Sequence, residues 1–139
     1  MISNKSIGDS GEIDVIAKIL CPNCKRKLVR LPESYPLYDI QCTACYFKAQ
    51  VKTSNNMPSD TLFGAGWEIM NKVLKAGYPI PSLIANFKWK TGQEIRFYPF
   101  IPKENLKRRV LSPTARRANY KMFNYTGLTN LPYFKLYSK

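Results

Sequence analysis

Two CxxC turns, Cys21-Pro22-Asn23-Cys24 and Cys42-Thr43-Ala44-Cys45, hold every cysteine in the chain. Each turn can present two thiolates to one tetrahedral cation, and the 17 residues between the pairs fit the spacing of a structural zinc site. With no histidine available, such a site takes all four thiolates, keeps no open coordination position and does no chemistry of its own. A redox-active CxxC is the rival reading. The missing histidine also excludes Ser-His-Asp and Cys-His catalysis, and no Gly-rich loop suggests a cradle for nucleotide phosphates.

A second set of residues could act on a phosphodiester. Asp39 precedes the second CxxC by three positions, while Gln50 and Lys52 follow it. In an extended segment Gln50 and Lys52 share one face and Val51 takes the other. A carboxylate from Asp39, an oxygen from Gln50 and the carbonyl of Val51 could hold Mg²⁺, with Lys52 orienting or deprotonating the attacking water. Glu12 adds an acid from an upstream helix. Alone, Asp-x10-Gln-x-Lys is a weak pattern, and strand lysines are commonly just solvated. A zinc-locked turn between the two strands sharpens it, because Asp39 and the Gln50/Lys52 face are then drawn together.

Several elements must position these groups. Asp9 and Glu12 have capping-box spacing, and Ile13, Ile16, Ala17 and Leu20 recur at helical intervals, which predicts a helix from Asp9 to about Cys21. Residues between the cysteine pairs read as ribbon or loop, 35–41 and 46–52 as extended runs. Ser59 or Asp60 is a cap for a helix carrying Trp67, Met70, Val73 and Leu74, stopped by Gly77. The runs 82–89 and 94–100, joined by 90–93, read as a hairpin. Trp67 and Trp89 are assigned to packing, Asp14 and Glu68 to exposed helix charge, and Asp60 is a remote metal-ligand candidate.

The net charge of +13 selects polyanionic partners, nucleic acid before a membrane surface. Residues 103–139 hold nine Lys or Arg against one acid, interleaved with aromatics. Lys107, Arg108, Arg109, Arg116, Arg117 and Lys121 are candidate DNA contacts, and Tyr120 could stack on a base or be buried. No apolar run suits a membrane span or signal peptide, so a cytoplasmic protein is expected. At 139 residues, one domain is the prior.

Glu12 with Cys21 nine residues on, the Cys-Pro-Asn-Cys turn, Asp39-Ile40-Gln41-Cys42, Gln50-Val51-Lys52 and Leu111-Ser112-Pro113-Thr114-Ala115-Arg116-Arg117-Ala118 together resemble the Dam-replacing family, from about Ile7 to Leu131. That resemblance implies an α+β fold with a restriction-endonuclease-like α/β core, a mixed sheet flanked by helices, and a four-cysteine zinc ribbon inserted at 21–45 in a single nuclease domain spanning 1–139. It implies Mg²⁺-dependent cutting of duplex DNA at adenine-methylated GATC, with Asp39 as the metal-binding aspartate, Gln50 where glutamate is usual, Lys52 as the catalytic lysine and Glu12 as the helix-borne acid. The neutral Gln50 departs from the pattern, and the chain stops where the related enzyme continues into a winged helix. A non-catalytic zinc module binding DNA, or an RNA- or ribosome-associated zinc protein, is the alternative. Symmetrical cutting of a duplex takes two active sites, which a homodimer supplies.

Overall fold

The computed structural model of the chain describes residues 4–33, 35–109 and 122–139. Among the described residues, two helices, α1 (Asn4–Lys18) and α2 (Trp67–Lys75), accompany nine strands: β1 (Leu28–Arg30), β2 (Ile40–Cys42), β3 (Lys48–Ser54), β4 (Leu62–Ala65), β5 (Leu83–Trp89), β6 (Gly92–Tyr98), β7 (Leu106–Arg109), β8 (Met122–Tyr125) and β9 (Phe134–Ser138). Six strands form a sheet in the order β1-β2-β3-β5-β6-β9, and β4-β8-β7 form a second. The large sheet is mixed, because β3 and β5 run parallel across the β4-α2 connection while its other neighbours are antiparallel. This is the expected α+β architecture.

Strand alternation divides the apolar residues between two cores. Ala49, Val51, Ile84 and Ile95 face α1 and pack with Val15, Ile19, Cys21 and Cys42. Leu83, Ala85, Phe87 and Tyr98 face the other way and meet Phe123 and Tyr125 of β8, Leu62 of β4 and Met70 of α2. The register pairs Gln50 with Leu83 and Lys52 with Ala85, so both polar residues share the second face, beneath the small sheet. Helix α1 lies close over β3 at Gly11, where an added Cβ would sit 1.9 Å from the Thr53 hydroxyl; only a residue without one permits this approach.

Several local expectations change. Helix α1 starts at Asn4, so Asp9 and Glu12 lie within it rather than at its cap; residues three apart also face one another inside a helix. The segment before Asp39 is not one extended run, since Leu37 has a left-handed φ of 67° and β2 begins only at Ile40. Ser59 and Asp60 precede β4, and α2 opens at Gly66, whose φ of 86° suits glycine. The hairpin closes through Lys90 and Thr91 alone. Trp67 and Trp89 pack against the second core as expected.

Candidate functional site

The two CxxC turns fold onto one another because the β1-β2 hairpin brings them together. Leu28 pairs with Cys42, while Cys21 N–H donates to the Arg26 carbonyl at 2.8 Å and Lys25 N–H to that of Cys21 at 2.9 Å. Lys25 takes a left-handed φ of 63° to close that turn. Across the site, Cys42 N–H donates to the Phe47 carbonyl at 2.9 Å. All four sulfurs lie within 4.8 Å of one another, with Cys21–Cys45 at 3.6 Å and Cys24–Cys42 at 3.4 Å. Thiolates about 2.3 Å from a central zinc stand about 3.8 Å apart at tetrahedral angles, so the cluster is able to hold that ion. Burial raises the Cys42 thiol, but N–H groups of Ala44 and Cys45 and the Cys24 and Cys45 side chains bring it down to about 6. Cys45, despite the Phe47 N–H, is pushed up to about 12 by burial and the neighbouring cysteines. Without a cation, the first thiolate formed opposes the next; a divalent ion removes that conflict.

Asp39 sits where β2 has not yet begun and β3 has already lost its neighbour. Its N–H donates to the Ala49 carbonyl at 2.9 Å, and the β2-β3 ladder is paired only as far as Ile40 with Ala49. Two residues further along β3, the N–H of Val51 finds the Asp39 side chain, donating to Oδ2 at 2.7 Å. The aspartate thus replaces a missing strand partner. Gln50 N–H donates to the carbonyl of Ser82, the residue before β5, so alternation turns both the N–H and the carbonyl of Val51 toward Asp39.

Lys52 is half-buried on the same strand, and Glu12 is held by Arg30, whose Nε lies 3.3 Å from Oε1. The shifts of the central pair oppose one another. Burial raises Asp39 despite the Val51 N–H, Lys52 and Arg30; burial lowers Lys52 despite the charges of Asp39 and Glu12. An acid and an amine are both driven toward neutrality at one strand edge, the kind of perturbation that marks functional sites.

Gln50 is 7% exposed, and its Oε1 accepts a hydrogen bond from the hydroxyl of Tyr125. Burial, helped by the charge of Asp39, raises the Tyr125 pKa, so the phenol keeps its proton and donates. Residues 75 positions apart gave no sequence signal of this contact; neither did Arg30, which reads as ribbon charge. The structure therefore brings Asp39, Gln50, Val51 and Lys52 to one stretch of β3, with the Glu12–Arg30 pair packed beside it from α1 and β1.

Two assignments are corrected. Asp14 is no exposed charge: Lys18 lies 2.9 Å from Oδ1, and the buried amides of Asn86 and Gln93 donate to Oδ2. Burial acts to raise its pKa, but these bonds outweigh it and hold the carboxyl below its usual range. Two amides at buried strand positions need a polar partner, and that was the signal missed. Asp60 is no metal ligand candidate, because its carboxylate accepts from the N–H groups of Gly127 and Thr129 at 3.1 Å and the Thr129 hydroxyl at 2.7 Å. It caps the short turn at Leu128–Asn130.

Lys107 and Arg108 are exposed on β7, an edge strand of the small sheet, and Leu106 pairs with Tyr125. The basic strand thus runs beside the residue that touches Gln50. Arg109 closes β7, and Arg116, Arg117, Tyr120 and Lys121 lie outside the described residues. No helix among the described residues is long and apolar enough to cross a membrane.

The family model for the Dam-replacing family (DpnI) matches residues 9–134, a span that includes both cysteine pairs, the Asp39–Lys52 region and the basic segment. No curated protein matches the chain.

Proposed function

Since the chain belongs to the Dam-replacing family, whose function is restriction-like and directed at DNA, we propose that it is a Mg²⁺-dependent endonuclease hydrolysing phosphodiester bonds of duplex DNA, with adenine-methylated GATC as its site. The observation that carries this reading is the Asp39 carboxylate bonded to Val51 N–H at 2.7 Å beside the half-buried Lys52. A module that only binds phosphates gains nothing from a carboxylate there, which repels the ligand. The whole chain would act as one nuclease domain, and a second copy would serve the second strand.

The donor set fits a hard cation. Asp39 Oδ1, the Val51 carbonyl and Gln50 Oε1 are all oxygens, and all belong to the residue just before β2 or to the adjoining part of β3. When bound, Mg²⁺ would supply charge stabilisation at the phosphate. The chain's residues do the rest. Lys52, whose ammonium form is disfavoured by burial, holds the attacking water and can accept its proton. Glu12, fixed by Arg30, contributes an attraction that favours the ammonium form of Lys52. Four thiolates of Cys21, Cys24, Cys42 and Cys45 would hold zinc and brace β2 against β1.

One observation favours a second reading. Gln50 is neutral, and its oxygen already accepts from Tyr125, as expected if the metal site had decayed and a zinc-containing DNA-binding module remained. Incubating the protein with Mg²⁺ and plasmid from methylating and non-methylating hosts separates the two. Cleavage restricted to methylated plasmid and lost in Lys52→Ala supports the nuclease; retention of both plasmids without cleavage defeats it.

A further inference from the structure

A cavity of about 600 Å³ opens at the start of β3, a few residues from the candidate catalytic edge. Its rim carries Tyr46, Tyr78 and Phe100, which are 100%, 69% and 65% exposed, and its inner wall includes Leu37 and Ile80. Exposed aromatics grouped around a concavity are not explained by core packing, and they differ from a flat patch because a ring can enter between them. A single cation, Lys48, stands among these walls. Its ammonium is 5.6 Å from the ring centroids of both Tyr35 and Tyr38, and it donates to the Tyr35 hydroxyl at 3.2 Å.

Lys48 and Gln50 are two residues apart and so share a face of β3, about 6.7 Å from each other. One strand of DNA covers that length in about two stacked steps. A phosphate at Asp39 and Lys52 therefore places a nucleotide about two steps along the strand at the cavity mouth. A base held in a duplex stack cannot enter a concavity, whereas one that has left the stack can lie on aromatic faces. With a chain charge of +13 and Lys48 to meet a phosphate, we infer that this cavity takes an unstacked nucleobase of a DNA strand, about two steps from the bond that is cut. The inference rests on the proposed nuclease reading for its position and on the aromatic walls for its ligand.

Fluorescence anisotropy tests it in the Lys52→Ala background without added Mg²⁺, so that nothing is cut. The probes are a dT12 strand, an intact duplex, and the same duplex with one bulged nucleotide. Tyr78→Ala with Phe100→Ala should weaken dT12 binding about tenfold or more, as loss of base–aromatic stacking does, while intact-duplex affinity changes by less than twofold. The salt slope for dT12 should stay the same in that variant and fall by about 0.7 in Lys48→Gln. A parallel loss on the bulged duplex identifies a nucleotide drawn from a duplex; a loss on dT12 alone identifies a single strand as the source. Tyr46→Ala, at a fully exposed position, gives a second variant that leaves the core untouched. Affinities for dT12 and the bulged duplex within twofold of the parent in both aromatic variants overturn the inference. Plasmid cutting is scored separately: a protein that cuts without aromatic dependence refutes the cavity assignment alone, and one that shows the dependence without cutting refutes the nuclease alone.

Discussion

Replacing Tyr125 by Phe removes one oxygen atom from a site where both partners are buried. Tyr125 is 0% and Gln50 7% exposed, and the hydroxyl is the donor to Oε1 of Gln50. A typical hydrogen bond contributes about 1 kcal/mol net, but a buried acceptor left without its partner costs about 1–3 kcal/mol. The phenyl ring keeps its contact with Phe123, at 5.2 Å between centroids, so packing changes little. Tyr125→Phe should therefore destabilise the protein by about 2 kcal/mol. Urea unfolding of the zinc-loaded protein measures this as a lower midpoint at unchanged slope. Gln50→Met removes the acceptor at similar volume, and the double variant should cost less than the sum of the singles, with a coupling of about 1–2 kcal/mol. A coupling below about 0.3 kcal/mol, within the scatter of independent sites, would refute the contact and the argument that β8 fixes the side chain of Gln50.

Gln50→Glu restores a charge to the oxygen set and should tighten Mg²⁺ binding about tenfold, since affinity for hard cations follows ligand charge; calorimetric titration that finds equal affinity would remove Gln50 from the metal site. Cys42→Ser should lose zinc and, with it, protection of the Val51 amide from hydrogen exchange, because that N–H depends on Asp39 at the edge of the zinc-braced hairpin; full protection in a zinc-free protein would separate the two sites. Asp14→Asn should cost about 1.5–3 kcal/mol at neutral pH by losing charged hydrogen bonds. Its folded pKa is depressed, so the wild-type advantage is present above the ordinary carboxylate value and fades as pH falls through the folded one. Melting curves of the two proteins that stay equally far apart into strong acid would contradict this.

Two types of information in the chain were readable without coordinates. Paired cysteines at short spacing define a metal cluster because the ligand geometry is local, and the alternation of Gln50, Val51 and Lys52 follows from strand periodicity once a strand is assumed. Element ends were harder to place. The capping-box spacing of Asp9 and Glu12 occurs equally inside a helix, and tertiary contact at Gly11 and Thr53, not the cap, decides where α1 must lie. Partners distant in sequence were illegible for a different reason. Tyr125 meeting Gln50, and Asn86 and Gln93 meeting Asp14, depend on which strands become neighbours, and the parallel β3-β5 pairing that sets this is reached only through a crossover of 28 residues between the two strands. Polarity alone made Asp14 resemble a solvated charge. Burial by α1 against the hairpin made it a bolt.

The site is assembled from both sides of one strand edge, and this explains why the four-cysteine cluster matters beyond its own loop. Strands β1 and β2 have three residues each, too few to hold a register independently in water. Cys42 ends β2 and three positions before it stands Asp39, so a cation binding Cys42 limits how far the aspartate can drift along β3. On the opposite face, β8 is held through Tyr125 to Gln50 and carries the basic strand β7 with it. In the proposed nuclease, phosphate attraction by Lys107 and Arg108, metal attraction by Asp39 and proton handling by Lys52 would converge on the segment from Gln50 to Lys52, which neither sheet nor helix alone could hold in place. Loss of the proposed zinc brace and loss of the Tyr125 bond would thus disturb the oxygens of Asp39 and Gln50 by independent routes.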